Sequence, residues 1–131
     1  MTAPRRVSGI GGVFFKARDP KSLGEWYRGR LGIDVQDGGY AIFQWRDHEH
    51  PSRAGTTVSS LFPEGTEYLG ASEQRAMINY RVADLDAVLA ELRREGVTVD
   101  ERIEETGEGR FGWITDPEGN RIELWQPPPD R

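Results

Sequence analysis

Glu123 carries the sharpest chemical claim in this chain. It stands between Ile122 and Leu124 in a strand candidate, where a carboxylate buried without a partner costs several kcal/mol. Such a group must be matched by Arg81, Lys16 or Arg121, be protonated, or bind something. The other grouping of reactive types is Asp47-His48-Glu49-His50, which holds both imidazoles of the chain. These are metal-ligand types, and an i, i+2 spacing in a strand would put both histidines on one face. They lie instead in a polar loop before Pro51 and read first as exposed loop residues. A loop folded over a cavity mouth, with one histidine touching a ligand, stays open as the alternative.

The elements that must position these residues form a pattern stated twice. Gly12 to Asp19 alternates Val13, Phe15 and Ala17 with Gly12, Phe14 and Lys16. Met77 to Asp84 alternates Ile78, Tyr80 and Val82 with Met77, Asn79 and Arg81. That is the period of a strand, and the set beginning at Val13 or Ile78 is the expected helix-packing face. Asp19-Pro20 and Asp84 then suit helix starts, because an aspartate accepts free backbone N–H groups and proline is tolerated in the first turn. Leu23, Tyr27 and Leu31 make one apolar stripe, and Leu85, Val88, Leu89 and Leu92 another. Gly32 and Gly96 are natural helix stops, with Ile33 to Val35 and Val97 to Val99 expected as strands beyond them. Further strands are expected at Tyr40 to Trp45, Thr56 to Phe62, Arg110 to Ile114 and Arg121 to Trp125. Asp116-Pro117-Glu118-Gly119-Asn120 marks a hairpin between the last two.

Each half therefore reads βαβββ, the modules covering approximately 7–62 and 75–126 of a single 1–131 domain. The fold class is α+β. Two such units side by side create a concave mixed sheet, because each helix covers only one sheet face. Between the modules, 63–74 reads as a linker, although Tyr68 and Leu69 imply that it packs somewhere.

The chain has 131 residues and a formal net charge of −5, which argues against a nucleic-acid surface. Its arginines are scattered among acids, as on a solvated surface of mixed charge. It lacks cysteine, so disulfides and thiolate chemistry are excluded, and a reducing cytoplasm is the expected compartment. Met1 to Arg6 is not followed by an apolar run of signal-peptide length, and no run of about 18 apolar residues suggests a membrane span. The tail from Gln126 to Arg131, rich in proline, reads as a frayed end.

The stretch Phe111-Gly112-Trp113-Ile114-Thr115-Asp116-Pro117-Glu118-Gly119-Asn120-Arg121-Ile122-Glu123-Leu124-Trp125 resembles the vicinal oxygen chelate superfamily, the glyoxalase I, bleomycin-resistance and extradiol dioxygenase group. The resemblance runs from Ile10 to Pro127. Its most specific element is the aspartate-proline-x-glycine-asparagine turn followed by a strand that carries a glutamate. It implies a homodimer, and it implies four metal-ligand positions that fall on Gly12, approximately Ser60, Met77 and Glu123. Only Glu123 matches, and one carboxylate does not make a metal site. No cofactor is therefore expected, and a divalent metal is disfavoured.

If Glu123 faces inward as the resemblance implies, alternation places Arg121 and Trp125 on its face, with Phe14 and Lys16 beside Gly12, and Asn79 and Arg81 beside Met77. The third strand of each half adds either Phe43 and Trp45 or their neighbours, and either Phe111 and Trp113 or theirs. The expected ligand-binding set is Phe14, Lys16, Trp45, Asn79, Arg81, Trp113 and Trp125. Such a surface, aromatic with sparse polar groups, has the composition of a small-molecule pocket. Two functions follow from the resemblance. The leading one is a metal-independent pocket of the bleomycin-resistance kind for a hydrophobic or aromatic molecule. The alternative is a lyase, isomerase or epimerase like glyoxalase I, with Glu123 as base or metal ligand.

Overall fold

In the computed structural model, residues 4–129 are described, so the first three residues of the chain and the last two of the expected frayed tail lie outside them. The first module comprises β1 (Val7–Ala17), α1 (Pro20–Leu31), β2 (Tyr40–Arg46) and β3 (Ala54–Pro63). The second comprises β4 (Ala76–Val82), α2 (Leu85–Arg94), β5 (Thr98–Val99), β6 (Glu104–Thr106), β7 (Gly109–Thr115) and β8 (Arg121–Gln126). One mixed, open sheet runs β2-β3-β1-β4-β8-β7-β5, with β6 also paired to β7. Within each module the first and last strands are parallel neighbours, β1 with β3 and β4 with β8. The antiparallel β1–β4 pair joins the modules. The first strands of the two halves therefore sit at the centre of the concave sheet.

Local chemistry sets the boundaries of both helices. Asp19 accepts from the Ser22 amide and Asp84 from the Ala87 amide, each at 3.1 Å. Pro20 opens α1, and Gly32 closes it with φ of 68°. That left-handed conformation strains any residue with a Cβ. At the β7–β8 hairpin, Asp116 accepts from the Glu118 and Asn120 amides, both at 2.9 Å.

Under α2, Leu85 and Leu89 pack with Val82 and Leu124, and Tyr80, Ile114 and Ile122 close around them. On the first module, Phe15 meets Tyr27 of α1 edge to face at 6.3 Å. The expected alternation of β1 and β4 thus holds.

Three expectations need correction. Ile33 to Val35 is not a strand: the Val35 amide turns back onto the Ile33 carbonyl at 2.8 Å, and the Arg28 guanidinium takes the Val35 carbonyl. With its carbonyl claimed by a helix residue, Val35 is withdrawn from strand pairing. The α1 stripe is shorter than expected, because Leu31 is exposed and the helix approaches the sheet through buried Gly24, beside Val35. Finally, β6 forms where no strand was expected, and its acidic sequence carries no apolar alternation to announce it.

Candidate ligand site on the concave sheet

Alternation along four strands converges on one place. Phe14 of β1, Met77 of β4 and Trp113 of β7 form a buried apolar cluster, joined by Leu69 from the segment between the modules. Phe62, Tyr68 and Phe111 pack against it. Glu123 of β8 sits within this setting with no exposed surface, and in register it lies opposite Asn79 on one side and Trp113 on the other.

Three neutral donors meet the carboxyl. Asn79 Nδ2 donates to Oε1 at 2.6 Å, Trp113 Nε1 donates to Oε2 at 2.9 Å, and the Tyr68 hydroxyl also donates to Oε2. Burial pushes the Glu123 carboxyl above its ordinary range, while the three donors and the charge of Arg121 work in the opposite direction. The Tyr68 hydroxyl is raised as well, first by its own burial and then by the negative charge of Glu123. A carboxyl held up in this way is closer to exchanging a proton near neutral pH than a solvated glutamate.

The cations expected beside Glu123 serve other partners. Lys16 is buried, and its Nζ donates to the Ser72 carbonyl at 3.1 Å. Arg121 lies over the Trp113 ring at 4.9 Å and reaches Asp100 at 3.3 Å. Arg81 lies between two indoles, 5.6 Å from Trp45 and 5.5 Å from Trp125. The physical reason is length and cost. Bringing a cation into an apolar cluster requires desolvating two charges, whereas amide, indole and phenol donors reach the carboxyl with less cost.

Of the expected ligand-binding set, Phe14, Asn79 and Trp113 gather around Glu123. Trp125 is buried and stacks on Phe111 at 6.2 Å. Trp45 is placed apart: register puts Tyr40 and Ile42, not Phe43 and Trp45, beside Ser60 and Val58. Its Nε1 donates to Thr57 at 2.8 Å, and with Arg81 it lines a separate cavity of about 420 Å³ that also includes Ser8, Asp47, Arg53 and Pro127 to Pro129. A crevice of about 590 Å³ lies beside α1 among Asp19, Lys21, Arg28 and Asp37. It has no aromatic lining and shares no residue with the Glu123 cluster. His48 and His50 are exposed, and Asp47 holds their loop by accepting from the Glu49 and His50 amides.

The sequence reading missed Tyr68 as a site residue. Its one signal was an apolar pair, Tyr68-Leu69, inside a polar stretch. Leu69 is fully buried, and Tyr68 stacks on Phe62 at 5.5 Å with an interplanar angle of 5°.

The four positions where metal-binding relatives would place ligands do not fit a divalent ion. A Cβ built on Gly12 would lie 2.6 Å from Phe14 Cε1, so the phenylalanine ring fills the space a ligand side chain would need. Met77 is buried in the apolar cluster, and Ser60 offers one neutral hydroxyl. Among the described residues, no group of three or more histidine, cysteine, aspartate or glutamate side chains is placed to hold a metal.

The sequence matches the Glyoxalase/Bleomycin resistance protein/Dioxygenase superfamily over residues 9–124. The chain belongs to this superfamily. A comparison with curated protein sequences gave no match. Among solved structures, methylmalonyl-CoA epimerase from Mycobacterium tuberculosis is similar at 25% identity and TM-score 0.62, covering 99% of this chain and 95% of that one. A Streptomyces coelicolor methylmalonyl-CoA epimerase in complex with 2-nitronate-propionyl-CoA is similar at 21% identity and TM-score 0.64, covering 90% and 96%. A Legionella pneumophila structure described as an NAD-dependent benzaldehyde dehydrogenase shares the fold at 13% identity and TM-score 0.58, covering 87% and 96%. Superfamily membership and the concave sheet make this a fold suited to small-molecule binding. The range of names on that fold shows why the reaction must be argued from the site.

Proposed function

We propose that this protein is a proton-transfer enzyme of the isomerase or epimerase class, acting on a small carbonyl compound bound at the concave sheet, with Glu123 as the proton carrier. The observation that carries this reading is the buried, raised carboxyl of Glu123, held by three neutral donors at the centre of the sheet. The epimerase neighbours support it, since inversion at a carbon next to a carbonyl requires a proton to leave and return. In its ionised form Glu123 takes the proton from that carbon, and the C–H electron pair passes into the enolate. In an isomerisation the resulting carboxylic acid returns the proton to a different atom of the enolate. In an epimerisation the proton reaches the opposite face, either from solvent water or from the acid after the planar intermediate has turned over. For Lys16 or Arg81 to steady the enolate charge, the side chain would have to leave its present partner, the Ser72 carbonyl or the Trp45 and Trp125 rings. No metal takes part in this reading, because the four family positions do not supply a donor set.

The test is deuterium wash-in from D₂O followed by NMR, using metal-stripped protein and a panel of α-branched acyl thioesters and aryl ketones. Exchange at the carbon next to the carbonyl is expected for wild type, with a loss of about 10²–10⁴-fold in Glu123→Gln. Equal exchange in the variant would remove the carboxyl from the reaction. Binding of panel members without exchange would favour the metal-independent pocket of the bleomycin-resistance kind.

The protein is further proposed to work as a cytoplasmic homodimer. Edge strand β2 exposes Ile42 and Phe43, a hazard unless covered. Light scattering is expected to give twice the 14.8 kDa chain mass; a monomer would contradict this.

A further inference from the structure

We infer that the Tyr68 side chain occupies the ligand's own place on the concave sheet and swings out when ligand binds. The ligand class this implies is a flat conjugated ring or enol carrying a C–O–H donor. The inference rests on the proposed reading of the Glu123 cluster as a ligand site and names the chemistry that site selects.

Three contacts define the space that Tyr68 fills. One face of its ring lies parallel to Phe62 at 5.5 Å, and its ring meets Trp113 edge to face at 6.1 Å with an interplanar angle of 90°. Its hydroxyl donates to Glu123 Oε2. This is how a pocket recognises an aromatic molecule: apolar faces supply area, and one placed polar group fixes orientation. A phenol and the enol of a conjugated ketone present the same planar C–O–H to such a site. Asn79 and Trp113 hold Glu123 from the sheet itself, whereas the Tyr68 hydroxyl reaches it from the segment between the modules. When the Tyr68 ring leaves, Oε2 loses a donor that the C–O–H of a ligand in the same slot replaces.

The segment is built to let the ring move while the backbone stays. Leu69 is fully buried and anchors the chain beside Tyr68. Beyond it, Gln74 accepts from the Arg121 amide at 2.8 Å and donates to the Arg121 carbonyl at 2.9 Å, while Lys16 holds the Ser72 carbonyl. On the other side, Glu64, Gly65 and Glu67 are exposed or make only surface contacts. Tyr68 itself is partly exposed, so rotation of its side chain leads toward solvent and does not require the anchor at Leu69 to break.

The probe is p-cresol, the tyrosine side chain as a free molecule, beside toluene, which has the ring without the donor. By calorimetry, Tyr68→Ala is expected to bind p-cresol at least about tenfold more tightly than wild type, because wild type must first displace its own ring. The variant is also expected to prefer p-cresol over toluene by about tenfold, the scale of one hydrogen bond to a charged or strongly polar acceptor. In wild type labelled with ¹³Cζ-tyrosine, the Tyr68 resonance, assigned with Tyr68→Phe, should move toward the solvent-exposed position as p-cresol is added. No discrimination between the probes by folded Tyr68→Ala would overturn the inference. So would a Tyr68 signal unmoved at p-cresol concentrations that saturate wild type, or failure of wild type to bind p-cresol, and the labelled wild type decides if the alanine variant does not fold. Binding and displacement without deuterium wash-in would leave the slot standing and remove only the enzymatic reading.

Discussion

At the scale of single residues, Glu123 sits between two large opposing effects. Burying an ionised carboxylate costs several kcal/mol, and each hydrogen bond to a charged group returns about 1.5–3 kcal/mol. Asn79, Trp113 and Tyr68 therefore offset most of the cost, and the direction that remains is upward, with burial dominant. Because the folded-state value is raised, Glu123 contributes stability that is fully present below its unfolded value and lost as pH rises through the folded one. Replacing it with glutamine removes that loss. Glu123→Gln is thus expected to gain stability relative to wild type between pH 4 and pH 8, by about 1.4 kcal/mol for each unit of upward shift. Urea denaturation across that range checks it, and a difference independent of pH would contradict the raised carboxyl. Asp19, Asp47, Asp100 and Asp116 are all held below their ordinary range. They act with the opposite sign, but they are common to both proteins and cancel in the comparison. Glu123 was legible in the sequence because a charge between Ile122 and Leu124 breaks an apolar pattern. Its partners were not, because reading along the chain favours charge pairing and cannot see that an indole, an amide and a phenol arrive from three other segments.

At the scale of elements, the segment between the modules behaves as part of the core. Leu69 has no exposed surface and belongs to the cluster of Phe14, Met77 and Trp113. Leu69→Ala is therefore expected to cost about 2–5 kcal/mol, as for a leucine in a strand or helix. Glu67→Ala, two residues earlier and exposed, should stay within about 0.5 kcal/mol. Chemical denaturation distinguishes them, and similar small effects at both positions would show that the segment is a surface loop. Helix starts, helix stops and the last hairpin were readable because each rests on local chemistry: an aspartate accepting nearby amides, or a glycine in the left-handed region. The reading failed where a distant side chain intervened, as when Arg28 takes the Val35 carbonyl. It also failed at β2, where strand alternation could not say which face Trp45 takes.

At the scale of the whole molecule, two modules joined through antiparallel β1 and β4 bring four strand faces to one concavity. The repeat in the sequence foretold that architecture, and the superfamily match agrees with it. What the repeat could not foretell is that the concavity is lined by apolar packing at the positions where relatives would carry ligands, and closed by Tyr68. The fold thus retains its central carboxylate without a donor set around it. The claim that organises this account is that Glu123 acts as a proton carrier in an organic ligand site and not as one ligand of a metal centre. Its most direct test is uptake of Zn²⁺, Ni²⁺, Mn²⁺ and Fe²⁺ by metal-stripped wild type and Glu123→Gln, followed by equilibrium dialysis and thermal shift, since a ligand specific for the native state raises its apparent stability. The account predicts no stoichiometric uptake and no difference in metal response between the two proteins. One tightly bound ion per chain in wild type, lost in Glu123→Gln, would contradict it and make Glu123 a metal ligand.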